Sequence, residues 1–312
     1  MTISGFTMVR NATKLYYPVR ASIESVLPIV DEFVVALGNC DADDNTLAEI
    51  QKIQSDKIRI IHTEWDLDEY PHGGEYAHQT DIAKNACSGD WLFYIQSDEV
   101  IHEKYLPVIR QRCEELLDDR KVEGLLFNYQ HFWGDYSHYI VSHAWYPKEI
   151  RIIRNDPDIH SWRDAQSFRR IPGFDGKSYF QKKDTYKLKV AAVNAWVFHY
   201  GWVRPPYLMQ KKRRSFVTDL KGKASAEAYF KDKEAIFDYG DLTKLKKYTG
   251  THPQVMAAFI NQFNWGDQLA VFSPVSEHKH SRLKYRFLTF IEQNLLGGNQ
   301  IGGFKNYTLL KK

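Results

Sequence analysis

Two adjacent carboxylates follow a short apolar run in residues 90–100. Residues 91–95 are mostly large and apolar, and a run of this kind, rich in aromatic and branched side chains, predicts a buried strand. Asp98 and Glu99 come just after it, at the carboxyl end of the sheet, where open α/β folds bind their ligands. Carboxylate oxygens in that position suit Mg²⁺ or Mn²⁺, and these ions suit phosphates. The alternative is a surface turn, because acidic residues often follow strands.

The elements around these carboxylates alternate between strand and helix. Strands are predicted at residues 3–9, 32–37, 57–62, 91–95, 124–129 and 149–154. Helices are predicted between them, at residues 15–27, 47–53, 75–87 and 103–119. The alternation up to residue 100 predicts a parallel α/β sheet. Beyond residue 205 the sequence predicts mainly helices.

The phosphate-binding motifs rich in glycine are missing from the sequence. Neither G-x-G-x-x-G nor G-x-x-x-x-G-K-[ST] occurs, so a dinucleotide-binding or P-loop interpretation loses its main support. Acidic and amide-rich loops follow the predicted strands instead. Such loops can hold a base and a ribose by hydrogen bonds and a diphosphate through a metal ion.

Composition narrows the class of protein further. The 312 residues are 43% hydrophobic and 26% charged, as in ordinary globular proteins, and the net charge of +3 is too small to predict a nucleic-acid partner. The three cysteines fit neither a disulfide framework nor a zinc site. Because no signal peptide or spanning apolar run is visible, the expected location is cytoplasmic.

Several segments resemble one enzyme family when they are taken in order. They are Val-Arg-Asn at 9–11, Phe-Val-Val at 33–35 with Asp-Asn-Thr at 44–46, Ser-Gly-Asp-Trp at 88–91 and Gln-Ser-Asp-Glu at 96–99. Together they resemble the corresponding segments of family 2 glycosyltransferases, which have the GT-A fold. The resemblance covers about residues 2–215. It implies an α/β GT-A-type nucleotide-sugar-binding sandwich in residues 1–205, followed by a mainly helical region in residues 206–312.

The resemblance implies a set of nucleotide-sugar-binding residues. They are Arg10, Asn39, Asp41, Asp81, Gln96, Ser97 and Arg204. Gln96 stands where the family has the first acid of its Asp-x-Asp-Glu motif, and a glutamine can still hydrogen-bond a ribose hydroxyl. Asn39 is the nearest match to the family's base-reading acid, with Asp41 close by. The alternative for both is an Asx-turn.

The same resemblance implies a divalent metal ion, Mn²⁺ or Mg²⁺, at Asp98 and His199. Glu99 lies beside Asp98, and an imidazole among carboxylates and phosphate makes a plausible mixed site. Because Gln96 replaces an acid, a metal-free or weakly metal-dependent enzyme remains an alternative. The basic run at 211–214 would offset charge on a leaving diphosphate, or else it forms a solvated helix face.

Asp164 matches the acid of a later family motif, which implies the catalytic base of an inverting transfer. A carboxylate within hydrogen-bond reach can take the proton from an attacking hydroxyl. The alternative is an ion pair with Arg163, Arg169 or Arg170.

The implied activity is that of a hexosyltransferase moving a sugar from a nucleotide-diphosphate donor, with a UDP-sugar favoured, to a glycan or lipid-linked acceptor in polysaccharide biosynthesis. The alternatives are a non-catalytic sugar- or nucleotide-binding protein and a nucleotidyltransferase. The basic amphipathic segment at 282–295 predicts either peripheral contact with the inner face of a membrane or a helix that faces the core. The C-terminal region could also form a homodimer or shape the acceptor site.

Overall fold

The computed structural model describes residues 1–271, 278–303 and 305–312, and its first half alternates strands with helices. The elements are β1 (Ile3–Val9), α1 (Val19–Glu24), β2 (Glu32–Leu37), α2 (Thr46–Gln51), β3 (Ile58–His62), α3 (Gly74–Asn85) and β4 (Trp91–Tyr94). β1 pairs in parallel with β2 and β4, and β2 pairs in parallel with β3. The predicted parallel arrangement is therefore confirmed for this half.

The second half of the sheet is mixed. Its elements are β5 (Glu99–Ile101), α4 (Leu106–Glu115), β6 (Gly124–Trp133), β7 (His138–Ile140), β8 (Lys148–Arg154), β9 (Ile159–Trp162), β10 (Ser167–Arg170) and β11 (Tyr186–Trp202). The main order is β3-β2-β1-β4-β8-β6-β11-β10-β9. β8 enters between β4 and β6 and runs antiparallel to both. The parallel arrangement predicted up to residue 100 therefore ends at β4.

The C-terminal region contains short helices and two further strands. They are α5 (Pro206–Lys221), α6 (Lys223–Phe230), β12 (Lys246–Lys247), α7 (Ala257–Asn261), α8 (Gly266–Leu269), α9 (Leu283–Leu295) and β13 (Tyr307–Leu309). Single 3-10 turns occur at Leu27–Ile29, Glu103–Tyr105, Leu242–Lys244, Gln254–Met256 and Lys279–Ser281. Residues 272–277 and 304 of this predicted region lie outside the described residues. β13 pairs with the start of β11, a return to the sheet that the sequence did not predict.

Helices cover both faces of the sheet. In β2, Phe33 and Val35 pack in one apolar cluster with residues of α1, α2 and α4, whereas Val34 and Ala36 pack in another with residues of α3, β9 and β10. Neighbouring side chains in a strand point to opposite faces, which explains why an unbroken apolar run is needed here. The expected α/β sandwich is confirmed.

A third apolar cluster joins the C-terminal region to the ends of β6 and β11. Met256 and Trp265 pack there with Phe132 and Tyr200. The indole of Trp265 donates to the carbonyl of Gly134 at 2.9 Å. The C-terminal region thus braces the two strands that deliver site residues. Within the described residues, no helix is both long and apolar enough to cross a membrane.

Candidate functional site

A cavity of about 300 Å³ lies at the carboxyl ends of β1, β4 and β11. Six of the residues predicted from the sequence line it: Arg10, Gln96, Ser97, Asp98, Asp164 and His199. Residues that follow different strands meet here because the strand ends lie at one edge of the sheet.

Asp98 is held at the centre of this cavity by the turn between β4 and β5. The backbone carbonyl of Asp98 accepts from the amide of Tyr200 at 2.8 Å, and Glu99 pairs across the strands with His199. Asp98 Oδ2 lies 3.7 Å from His199 Nε2 and 3.4 Å from Lys212 Nζ. Burial opposes ionisation of Asp98, but the neighbouring basic groups, with Lys212 first among them, together outweigh it, and the pKa of Asp98 is lowered.

The hydrogen bonds of two histidines fix the tautomer of His199. His131 Nε2 lies 2.8 Å from the carbonyl of Tyr146, so this nitrogen carries the proton. His131 Nδ1 must then accept from His199 Nδ1, 3.0 Å away. His199 Nε2 is left with a lone pair directed at the cavity. Burial lowers the pKa of His199 to about 4 and that of His131 to about 3, which keeps both rings neutral near pH 7.

The donor atoms of Asp98 and His199 fit a divalent cation. A carboxylate oxygen and an imidazole lone pair 3.7 Å apart can share one ion. Mg²⁺ commonly takes only one or two protein ligands and fills its remaining positions with phosphate oxygens and water. Among the residues that the structure describes, no group of three or more acidic, His or Cys side chains could hold a metal. A metal here therefore needs oxygens from a ligand.

Glu99 is not available as a neighbouring ligand, contrary to expectation. Both of its carboxylate oxygens face Arg151, at 2.7 Å from Nε and 2.7 Å from Nη2. The hydroxyl of Tyr129 also donates to Glu99 at 2.7 Å. Glu99 and Arg151 are buried. This ion pair fixes β5, and through it the turn that carries Asp98.

Lys212 is the residue of the basic run at 211–214 that enters the cavity. Its ammonium donates to the carbonyl of Gly201 at 2.7 Å and lies 5.0 Å from the ring of Tyr17. Burial, with a smaller contribution from Arg204, lowers the pKa of Lys212 to about 7. Lys211 and Arg214 are exposed, so the solvated-face alternative describes them correctly.

Asp164 lies in the tight loop between β9 and β10. The residues on either side, Arg163 and Ala165, both have a φ of 60°. This left-handed conformation costs a non-glycine residue about 1–2 kcal/mol, and strain of this kind often occurs at functional sites. The loop directs the half-buried Asp164 into the cavity. Burial raises the pKa of its carboxyl group.

The ion-pair alternative for Asp164 is not what the structure shows. The guanidinium groups of Arg163 and Arg169 lie over the ring of Trp162, at 4.1 and 4.3 Å. Arg170 pairs with Asp156 at 2.6 Å. The charge of Arg163 still acts on Asp164, but among the described residues none of the three arginines forms an ion pair with its carboxylate.

Two aromatic side chains that the sequence did not predict line the end of the cavity near β1. Trp65 and Tyr76 pack edge to face with ring centroids 5.2 Å apart, and the Arg10 guanidinium lies 5.4 Å from the centre of the Trp65 ring. The buried indole nitrogen of Trp65 has no hydrogen-bond partner among the described residues. An aromatic residue soon after a predicted strand was the only available signal, and it is a weak one.

Four predicted binding residues support the walls of the cavity rather than line it. Asn39 accepts from the Trp65 amide at 3.3 Å, and Asp41 pairs with Lys14 at 2.7 Å. Asp81 accepts from the amide of Ser161 at 2.8 Å and from the ring of His160 at 2.9 Å. Arg204 is fully buried and donates to the carbonyl of Gly201 at 3.1 Å. These hydrogen bonds and this ion pair explain why the four side chains do not line the cavity. The position of a residue in a loop does not predict such contacts.

No protein-family model matches the sequence, and no curated protein matches it. Several solved structures do match this chain. TarS from S. aureus is 15% identical over 73% of this chain and 42% of that chain, with a TM-score of 0.39. A glucosyl-3-phosphoglycerate synthase from Mycobacterium tuberculosis, in complex with Mn²⁺, uridine diphosphate and phosphoglyceric acid, is 19% identical over 41% of this chain and 43% of that chain, with a TM-score of 0.30.

The same synthase with Mn²⁺, UDP-glucose and phosphoglyceric acid is 22% identical over 41% of this chain and 44% of that chain, with a TM-score of 0.29. The chain thus spans less than half the length of each of these proteins. Every one of these identities is below 25%, and every TM-score is below 0.5. Substrate and mechanism have to be argued from the site.

Proposed function

We propose that the protein transfers a hexose from a nucleotide-diphosphate donor, with a UDP-sugar as the first candidate, to an acceptor hydroxyl with inversion at the anomeric carbon. One observation carries the proposal. Asp98, His199 and Lys212 meet in the cavity, and Asp164 lines the same cavity. A leaving diphosphate needs positive charge, and an attacking hydroxyl needs a base.

The aromatic end of the cavity is proposed to bind the nucleoside. Trp65 offers a flat ring on which a base can stack. Gln96 donates its amide to the carbonyl of Ala165 at 3.1 Å, which leaves its side-chain oxygen free to accept from a ribose hydroxyl. Asn39 acts indirectly in this proposal, by holding the backbone of Trp65.

The diphosphate is proposed to lie against Asp98, His199 and Lys212. A divalent cation held by Asp98 and His199, Mn²⁺ or Mg²⁺, would supply charge neutralisation to the phosphates when it is bound. The Lys212 ammonium adds a donor on the same side. Positive charge concentrated here favours departure of the nucleoside diphosphate, because negative charge develops on it in the transition state.

Asp164 is proposed to remove the proton from the acceptor hydroxyl as that oxygen attacks the anomeric carbon. The raised pKa of Asp164 makes its carboxylate a stronger base than an exposed aspartate. Attack from the face opposite the diphosphate inverts the anomeric configuration. The proton stays on Asp164 until the product leaves and solvent can take it.

A panel of nucleotide sugars tests the proposed function. The purified protein is incubated with each donor, with and without Mn²⁺, and release of the nucleoside diphosphate is measured. Release from one donor supports the transferase assignment. Thermal stabilisation by a donor without any release would instead identify a non-catalytic nucleotide-sugar-binding protein.

Gly201→Ala is expected to lower transfer by about 10²-fold, the cost of misplacing catalytic groups by about 1 Å. A Cβ atom at Gly201 would lie 2.5 Å from Asp98 Oδ2 and 2.6 Å from His199 Nε2, so both side chains must move. Turnover and the thermal unfolding midpoint are measured together. Gly266→Ala is the matched control, because its Cβ would meet its nearest neighbour at an ordinary 3.6 Å. Normal turnover in Gly201→Ala would contradict the assignment of this cavity.

The exposed face of α9 is proposed to contact an anionic lipid surface, near which a glycan or lipid-linked acceptor would be found. Leu283, Phe287 and Phe290 recur at helical spacing and are 81%, 65% and 61% exposed. The exposure of these side chains favours surface contact over the alternative of a core-facing helix. Lys284 and Arg286 are exposed beside them, which gives the charge complementarity that anionic headgroups require. The unpaired Cys40, Cys87 and Cys113 support the cytoplasmic side of the membrane.

The double variant Phe287→Ser/Phe290→Ser is expected to lose about 10²-fold or more in affinity for vesicles of phosphatidylglycerol and phosphatidylcholine, because each buried phenylalanine contributes about 1.5–3 kcal/mol. Sedimentation with the vesicles measures the loss. Ile236→Ser is the control, since Ile236 is 57% exposed elsewhere on the surface. A concentration-dependent dimer that the double variant abolishes, without lipid binding by the unmodified protein, would identify a second copy as the occupant.

A further inference from the structure

The ammonium group of Lys212 competes for an atom that a divalent cation would use. Lys212 Nζ lies 3.4 Å from Asp98 Oδ2 and 2.7 Å from the carbonyl oxygen of Gly201. The same Asp98 oxygen faces the lone pair of His199 Nε2 at 3.7 Å. The side chain of Lys212 therefore already provides the positive charge that this pair of acceptors attracts.

A divalent cation and this ammonium group cannot both be well accommodated at Asp98. The carboxylate carries one negative charge, whereas the two cations together carry three positive charges. The side chains of Lys212 and Asp98 are only 15% and 10% exposed, so water screens the repulsion between the cations poorly. Glu99 cannot compensate, because its carboxylate is paired with Arg151.

A bound donor would offer the ammonium group of Lys212 a second set of hydrogen-bond acceptors. The side chain of Lys212 is a flexible stem on α5 that enters the cavity between the rings of Tyr17 and Trp202, 5.0 and 5.7 Å from the ammonium nitrogen. A diphosphate in that cavity brings negative oxygens that can accept from the ammonium group and also ligate a metal. The donor would thus relieve the conflict at Asp98.

We propose that Lys212 occupies the cation position at Asp98 when the site holds no donor, and moves to the diphosphate when a donor binds. The metal ion then binds tightly only together with a nucleoside diphosphate. The inference rests on the proposed function, because the ligand must carry a diphosphate. Linkage requires the reciprocal effect, so Mn²⁺ strengthens binding of the nucleoside diphosphate by the same factor.

Titration of Mn²⁺, followed by its electron paramagnetic resonance signal, tests the competition without any turnover. Each protein is titrated alone and with saturating UDP. Lys212→Met is expected to bind Mn²⁺ in the absence of UDP about tenfold more tightly than the unmodified protein, because one like charge next to the ion is removed. The factor by which UDP strengthens Mn²⁺ binding is expected to shrink in Lys212→Met.

Lys211→Met is the matched control, since it removes the same charge from the neighbouring, exposed position of the helix. Thermal unfolding verifies that the variants fold, and Lys212→Gln serves as a second variant. Unchanged or weaker Mn²⁺ binding by both Lys212 variants overturns the inference, as does equal tightening in Lys211→Met. If the protein binds Mn²⁺ but not UDP, the proposed function fails, while tighter Mn²⁺ binding by Lys212→Met still supports competition at Asp98.

Discussion

Asp164→Asn is expected to lower the rate of sugar transfer by about 10²–10⁴-fold, the usual contribution of a positioned general base. Asparagine keeps the size of the side chain but cannot take the acceptor proton. The affinity for UDP should change little, because Asp164 lies between β9 and β10, whereas Asp98 follows β4 and Lys212 lies on α5. Turnover with the active donor and calorimetry with UDP measure the two quantities separately.

The pH dependence of transfer gives an independent check on Asp164. Only the ionised carboxylate accepts a proton, and burial raises the pKa of this group. The rate should therefore rise with pH through a midpoint above that of an ordinary aspartate. The residual rate of Asp164→Asn should lack this step. A large loss of UDP affinity in the variant would instead indicate a donor-binding role.

Folding stability distinguishes loss of a base from loss of structure. A carboxyl group whose pKa is raised on folding binds its proton more tightly in the native state, so stability from this group falls as pH rises through the ordinary and then the raised pKa. The neutral amide of Asp164→Asn removes that cost. The variant should be at least as stable as the unmodified protein at pH 7, which a thermal unfolding midpoint will show.

Arg151→Met is expected to destabilise the protein by about 3–5 kcal/mol, because it leaves the charge of Glu99 buried without its partner. Tyr129 would still donate to Glu99 at 2.7 Å, but a single hydroxyl cannot replace a bidentate guanidinium. The free energy of unfolding is measured in urea. The effect should reach the site as well, since Glu99 begins the strand that follows Asp98.

Two further variants test whether the destabilisation by Arg151→Met comes from the unpaired charge of Glu99. Glu99→Gln/Arg151→Met should recover part of the loss, because neither side chain then carries an unpaired charge. Arg20→Met is the matched control: Arg20 pairs with Glu24 at 2.8 Å on an exposed helix face, and such pairs contribute about 0.3–0.5 kcal/mol. An equally small loss in Arg151→Met would mean that Glu99 is stabilised in another way.

The sequence alone was sufficient for the parts of the site that depend on local pattern. Apolar runs predicted the strands, and the acidic step after residues 91–95 predicted that Asp98 would lie at the carboxyl end of the sheet, where it lines the cavity. This prediction succeeds because a strand buried on both faces needs a continuous apolar run, and a side chain just beyond it must emerge at the edge of the sheet. Arg10, His199 and Asp164 came instead from the resemblance to a known family.

Only the tertiary structure decided which side chains touch across the chain. In the folded chain, Lys212 from the run of four basic residues contacts Asp98. Glu99 pairs with Arg151, and His131 contacts His199. Each of these pairs brings together residues far apart in sequence. Their contacts depend on β8 entering the sheet in reverse and on the angle at which α5 crosses the cavity. Residue type and local periodicity determine neither, because strand order and helix placement are set by packing of the whole core.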